Sequence, residues 1–67
     1  MIIQLNGQPR EVPGGCSVLQ LIEQQLHLAG KRLAVEVNGE IVPRSQFASA
    51  LLHAGDHVEV VQAIGGG

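Results

Sequence analysis

The sequence has few of the residues that mark nucleic-acid binding, membrane insertion or disulfide bonding. Phe47 is its one aromatic residue, and four basic residues stand against six acidic ones, so no basic surface with stacking aromatics is available for nucleic acid. No apolar run approaches the roughly 20 residues that cross a bilayer, and the N-terminus lacks the apolar stretch of a secretory signal. A lone cysteine, Cys16, excludes an internal disulfide and suits a reducing compartment. We therefore expect a cytoplasmic protein that binds neither nucleic acid nor membranes.

The chain is rich in aliphatic residues instead. Hydrophobic residues make up 45% of its 67 positions, and nearly all of them are Val, Leu, Ile or Ala. This composition is too apolar for a disordered chain, and the length allows one domain with one small core. We expect this domain to be a monomer when free.

Two Asn-Gly pairs divide the strand-like segments into hairpins. Asn6-Gly7 and Asn38-Gly39 are typical of the two-residue type I′ turn, in which both central residues need a positive φ. Apolar and polar residues alternate before each pair, as in half-buried strands, and Pro9 favours an edge position for the strand that contains it. The strands predicted around these turns are residues 1–5 and 10–12 in the first hairpin, and 33–37 and 40–42 in the second.

One helix is predicted between the hairpins. Ser17 and Gln20 have the spacing of a capping box, in which each side chain bonds the backbone N–H of the other residue. Gly30 is a natural residue to end the helix. Apolar residues follow Ser17 at helical spacing, namely Val18, Leu19, Ile22, Leu26 and Ala29. We expect Leu19, Ile22 and Leu26 to form the buried stripe.

The remaining segment predicts a helical or 3₁₀ turn within residues 45–52 and a final strand at 57–63. The turn would place Phe47, Leu51 and Leu52 on the core. The final strand is β-branched, which favours a central position in the sheet, and we expect it to lie parallel to the first strand. The order β-β-α-β-β-β predicts an α+β domain with one helix across one face of the sheet.

Three glycines, Gly65, Gly66 and Gly67, end the sequence. Glycine has the most conformational freedom to lose on ordering, and a segment without Cβ atoms can enter a channel too narrow for side chains. The other interpretation is a frayed end, because termini are usually loose. We expect a domain over residues 1–64 and a flexible glycine tail over 65–67.

These features together resemble the β-grasp, ubiquitin-like fold, with a mixed sheet of four to five strands and one α-helix. Within that fold the chain is similar to the ThiS family, the sulfur carriers of thiamine biosynthesis. The matching segments are residues 2–7, residues 37–44, the Gly55-Asp56 turn and the terminal Gly66-Gly67. The MoaD-like carriers of molybdopterin synthesis share the fold and the Gly-Gly end, but are typically longer and often have prolines before the tail.

The resemblance implies that the Gly67 carboxylate is the reacting group. An E1-like adenylyltransferase (ThiF-like) would activate it with ATP, and a cysteine desulfurase or other persulfide donor would supply sulfur. The resulting thiocarboxylate would serve a thiazole synthase (ThiG-like). Gly66 and, with less weight, Gly65 would fit the tail into the partner's active site. The chain would then be a protein co-substrate, not an enzyme, with no catalytic residues and no cofactor of its own.

Other readings of the sequence stay open or are disfavoured. The domain could be a passive β-grasp interaction module with an inert tail. Cys16 precedes a helix N-terminus, which can lower a thiol pKa, although a small packed residue is the favoured interpretation. His53 and His57 are separated by the helix-breaking Gly55-Asp56 pair, so no metal site is expected. Arg44 matches the family pattern, but its plain interpretation is a solvated side chain.

The sheet face opposite the helix is the expected docking surface. So short a chain has no second layer to cover that face, so apolar residues on it should stay exposed. Exposed apolar surface that leads toward the tail would suit a partner enzyme. We expect partners to dock near the last strand, 57–63, and not on the helix at Glu23 or Gln24.

Overall fold

A computed structural model describes residues 1–62, which form a five-stranded mixed sheet in the order β2-β1-β5-β3-β4. The strands are β1 (Ile2–Leu5), β2 (Gln8–Glu11), β3 (Leu33–Val37), β4 (Glu40–Ile41) and β5 (His57–Gln62). β1 and β5 are parallel, and the other neighbours are antiparallel. The predicted central, parallel last strand is thereby confirmed. The expected extension of that strand to Ala63, the 1–64 boundary and the 65–67 tail lie outside the described residues.

Both Asn-Gly pairs form the predicted turns. The φ angles are 50° and 82° at Asn6 and Gly7, and 52° and 84° at Asn38 and Gly39. All four values lie in the left-handed region that a type I′ turn requires. The two hairpins place β2 and β4 at the edges of the sheet, which confirms the edge position expected from Pro9.

The helix begins as predicted but ends early. The Ser17–Gln20 capping box is present, with both side-chain to backbone hydrogen bonds. The α-helix α1 (Val18–Gln20) then widens into a π-helical segment (Leu21–Gln25), in which the Leu26 N–H donates to the Leu21 carbonyl. The predicted continuation to Ala29 and Gly30 is wrong. His27, at φ 54°, takes the left-handed position that ends the helix.

The wider turn changes which residues the helix buries. Val18, Leu21 and Ile22 are at most 4% exposed, whereas Leu19 and Leu26 are only partly buried against them. The predicted stripe was therefore right at Ile22, missed Leu21 and overstated Leu19 and Leu26. An i→i−5 hydrogen bond adds a residue to the turn, so the positions after Gln20 no longer follow a 3.6-residue period. Ala29, also predicted on the apolar side, is exposed.

The segment after β4 contains the expected 3₁₀ helix, Arg44–Gln46. Phe47 and Leu52 are buried as predicted, at 6% and 2% exposure, but Leu51 is 57% exposed. Leu51 forms an isolated antiparallel bridge with Ser17. In bridged, extended backbone, successive side chains point to opposite sides, so Leu52 faces inward and Leu51 outward.

Candidate functional site

The strand β5 has one face in the core and one in solvent. Val58 is 1% exposed and packs inside, whereas Val61 is 60% exposed. β5 pairs with β1 at Gln4↔His57 and with β3 along a longer stretch that ends at Leu33↔Gln62. This strand is the last described element before residues 63–67, so its position determines where the chain leaves the described part of the domain.

The sheet surface opposite the helix, here called the outer face, is exposed as predicted. Its large apolar residues are Ile2 at 54%, Ile41 at 67% and Val61 at 60% exposure. They come from three different strands and share one side of the sheet, since neighbouring residues such as Ile3 point into the core. Within residues 1–62, no second layer covers this face.

A shallow depression lies on this surface at the C-terminal end of β5. It has a volume of about 360 Å³ and is lined by Arg32, Leu33, Ala34, Arg44 and Val61. Ala34 and Val61 are directly paired across β3 and β5, so the depression lies beside the strand that leads to Gly67. An apolar floor next to two guanidinium groups suits an aliphatic side chain accompanied by a carboxylate.

Arg44 is held at the rim of this depression. Its Nη2 donates to the carbonyl oxygen of Lys31 at 3.0 Å, which connects the 3₁₀ helix to the segment just before β3. The Arg44 side chain is exposed, as expected for a solvated arginine, but this hydrogen bond also fixes its position. Nothing in the spacing of the sequence links Arg44 to Lys31, so the sequence could not show this contact.

The start of β5 is fixed by a polar network. Asn38 accepts the His57 backbone N–H at its Oδ1, at 2.9 Å, and donates from Nδ2 to Asp56 Oδ1 at 3.1 Å. Asp56 Oδ2 accepts the backbone N–H of His53 at 2.8 Å. The Gly55-Asp56 turn thus has a structural role. Among residues 1–62, no group of three or more His, Cys, Asp or Glu side chains lies close enough together to hold a metal ion.

Cys16 is a packed residue of the core. It is 3% exposed, and its Sγ lies 3.4 Å from the Ser17 carbonyl oxygen, to which it donates. Burial raises the pKa of the Cys16 thiol, which is opposite to the lowering that a helix N-terminus can produce. Since the thiolate is the nucleophile, Cys16 is poorly suited to sulfur relay.

If the chain carries sulfur, as its resemblance implies, replacing Cys16 with Ser is expected to leave the rate of sulfur transfer within about twofold of the unmodified protein, because no reactive thiolate is lost. The rate at which the intact protein gains the mass of sulfur, measured by mass spectrometry, tests this prediction. Cys16→Ala serves as a second variant without a buried hydroxyl. Loss of transfer in both variants, with an unchanged circular dichroism spectrum, would show that the thiol takes part.

The terminal glycines are not among the described residues. Gly65, Gly66 and Gly67 are the residues that the family resemblance predicts to react or to enter the partner's active site. Residues 1–62 form the exposed outer face and include β5, the strand that leads toward these glycines. In the same range, residues 1–62, no helix has the length and apolar character needed to span a membrane.

A mixed sheet in the order β2-β1-β5-β3-β4, crossed by a single helix, defines a β-grasp domain of the ubiquitin-like class. The ThiS family model matches residues 3–67. A crystal structure of the thiamine biosynthesis protein (ThiS) from Geobacter metallireducens superposes with a TM-score of 0.84 at 30% identity, covering all of both chains. The chain belongs to the ThiS family.

Two kinds of curated relatives accompany this match. The sulfur carrier protein ThiS of Escherichia coli is 38% identical over 68 residues and is covered in full. The thiazole synthase of Paramagnetospirillum magneticum is 37% identical over 67 residues, but the chain spans only 20% of its length. A second thiazole synthase, from Magnetococcus marinus, shows the same identity and coverage.

Proposed function

We propose that this chain is a sulfur carrier of thiamine biosynthesis and that its Gly67 carboxylate receives the sulfur. The observation that carries the proposal is the family match over residues 3–67, which includes the Gly66-Gly67 end. The full-length similarity to the Escherichia coli sulfur carrier supports it. The protein would act as a co-substrate of partner enzymes, in a cytoplasm that keeps a thiol such as Cys16 reduced.

The chemistry follows from the weakness of a carboxylate as an electrophile. An E1-like adenylyltransferase would join the Gly67 carboxylate to AMP, consuming ATP and releasing pyrophosphate. A persulfide, supplied by a cysteine desulfurase or another donor, would attack the acyl carbon and expel AMP. A partner thiol would then cleave the sulfur–sulfur bond, leaving the thiocarboxylate on Gly67 and a disulfide on the partner. The carrier itself would need no cofactor.

A thiazole synthase is the proposed acceptor of this sulfur. Two thiazole synthases contain a segment similar to the whole of this chain within a polypeptide about five times longer, since the match covers 20% of each. A carrier-like segment and a synthase joined in one chain have a high effective concentration for each other. This arrangement supports a carrier that works directly on the synthase.

The outer face is the proposed docking surface for these partners. It combines exposed apolar residues on three strands with the arginine-lined depression beside β5. Burial of such aliphatic surface is favourable in association. The arginines favour a partner surface with carboxylates around an apolar centre.

A negative charge in this depression should weaken docking. We expect Val61→Glu to reduce affinity for the adenylating partner by at least about tenfold, because the new carboxylate would occupy the apolar floor and repel the partner carboxylates that the neighbouring arginines favour. The free energy of unfolding should change by less than about 0.5 kcal/mol, since the side chain is exposed. Isothermal titration calorimetry and urea denaturation measure the two quantities.

Gln24→Glu is the matched control, because it adds the same charge to the exposed helix surface. We expect its affinity to equal that of the unmodified protein. If Gln24→Glu weakened binding and Val61→Glu did not, the partner would dock on the helix, and the outer-face assignment would be wrong.

The mass of the intact protein tests the proposed function. After incubation with ATP, the adenylating enzyme and a sulfur source, replacement of one carboxylate oxygen by sulfur should add about sixteen mass units. Omission of ATP should prevent the change. A protein that binds its partners but never gains this mass would instead be a passive interaction module.

A further inference from the structure

The strand β5 extends beyond its parallel neighbour. β1 pairs with it at Gln4↔His57 and Leu5↔Val58, and the chain then turns back at Asn6. β3, in contrast, pairs with β5 as far as Leu33↔Gln62. Within the described chain, residues 59–62 therefore have a strand on one side but not on the other.

The side chain of Asn6 continues the pairing on the open side. The Asn6 backbone N–H donates to the Val58 carbonyl at 2.9 Å. Its Oδ1 accepts the Val60 N–H at 2.9 Å, and its Nδ2 donates to the Val60 carbonyl at 3.3 Å. A carboxamide offers the donor and acceptor of a peptide group, so Asn6 extends the parallel ladder by one step after the backbone has left it.

We propose that the Asn6 carboxamide is a latch that holds the C-terminal half of β5 in the sheet and thereby positions Gly67. The positioning role rests on the proposed function, whereas the latch itself does not. Five residues follow Gln62, and they reach at most about 18 Å when fully extended. Each further residue released from the sheet would add about 3.3 Å to the length of unpaired chain before Gly67. Loss of the Asn6 bonds would therefore enlarge the volume that the Gly67 carboxylate can sample.

The two Asn-Gly turns make it possible to test the side-chain bonds of Asn6 separately from the turn that Asn6 forms. Glycine tolerates positive φ, so Asn6→Gly keeps the type I′ turn and removes only the side-chain bonds to Val60. Asn38→Gly is the matched control. Asn38 has the same backbone geometry, at φ 52° against 50°, but its side chain bonds the opposite end of β5, at His57.

Amide hydrogen exchange tests the latch without any partner. In Asn6→Gly, exchange of the Val60 amide should accelerate about threefold to tenfold, as expected for an exposed hydrogen bond worth about 1 kcal/mol. Asn38→Gly should leave Val60 unchanged and accelerate His57. Asn6→Asp retains the acceptor for the Val60 N–H and should restore most of the protection. Unchanged exchange at Val60 in Asn6→Gly would overturn the latch.

Charging with sulfur tests the positioning role. At a temperature where both glycine variants are fully folded, kcat/KM of Asn6→Gly with the adenylating enzyme should fall about threefold to tenfold, in line with its exchange effect. Asn38→Gly should stay within about twofold. Equal loss in both variants, or faster Val60 exchange with unchanged charging, would overturn positioning by Asn6. If the unmodified protein were never charged, the proposed function would fail, while exchange would still decide the latch.

Discussion

Deletion of Gly67, or addition of one residue after it, is expected to abolish thiocarboxylate formation. Under the proposed function, the reaction would need a carboxylate at the end of a chain just long enough to reach the partner's active site, and either change would move that group by one residue, about 3.5 Å. Intact-mass measurement after incubation with ATP, the adenylating enzyme and a sulfur source would show no product. The circular dichroism spectrum should not change, because the buried core lies between Ile3 and Val58.

The neighbouring glycines provide the control. Gly66→Ala should reduce charging strongly, since under the proposed function a Cβ next to the Gly67 carboxylate would narrow the fit of the tail in the partner's active site. Gly65→Ala should have a smaller effect, because Gly65 lies two residues from the proposed reacting carboxylate. Normal charging of the chain extended beyond Gly67 would contradict the proposal that its carboxylate reacts.

Leu21→Ala is expected to give the largest loss of stability, about 2–5 kcal/mol in the free energy of unfolding. The Leu21 side chain is fully buried in the π-helical segment, at 0% exposure, and truncation leaves a cavity that a small core cannot close. A domain of this size has roughly 5 kcal/mol of stability in total. Urea denaturation at low temperature would therefore find the variant largely unfolded or close to it.

The same truncation at two other leucines shows whether burial is the cause. Leu51→Ala, at a site 57% exposed, should change stability by about 0.5 kcal/mol or less. Leu26→Ala, at a partly buried site, should fall between these values. If Leu26→Ala cost as much as Leu21→Ala, the regular helical stripe expected from the sequence would describe the packing better than the π-helical one.

Local rules explain why much of the fold could be predicted. The Asn6-Gly7 and Asn38-Gly39 turns depend on the φ preferences of two adjacent residues, and the Ser17–Gln20 capping box on a three-residue spacing. The residues that determine each turn and the capping box lie within a few positions of one another in the sequence. The strand alternation around the turns then determined which faces were buried, and so the helix side of the sheet.

The end of the helix could not be predicted in this way. Gly30 does adopt a positive φ, of 79°, but His27 already takes the left-handed conformation that ends the helix three residues earlier, and the Leu28 N–H donates to the Ile22 carbonyl at 2.8 Å. Leu28 also packs against the core. Packing of this leucine accompanies the earlier end of the helix, and Gly30 takes its positive φ in the turn that follows.

The candidate site was likewise predictable where it depends on local or general rules, and not where it depends on distant contacts. The exposed outer face followed from the number of layers that a short chain can build, and was confirmed at Ile2, Ile41 and Val61. The contacts of Asn6 with Val60 and of Arg44 with Lys31 escaped prediction. They join positions 54 and 13 residues apart, and no local pattern specifies such pairs.

The central position of β5 also constrains how the protein is made. Each hairpin can form from neighbouring residues, but isolated two-stranded hairpins are marginal in water, and only β5 joins the two. A chain that lacked residues 57–62 would leave the two hairpins unjoined, so we expect it to expose apolar surface and to be degraded readily by proteases. The strand that leads toward Gly67 is thus also the one whose pairing completes the sheet of the described residues.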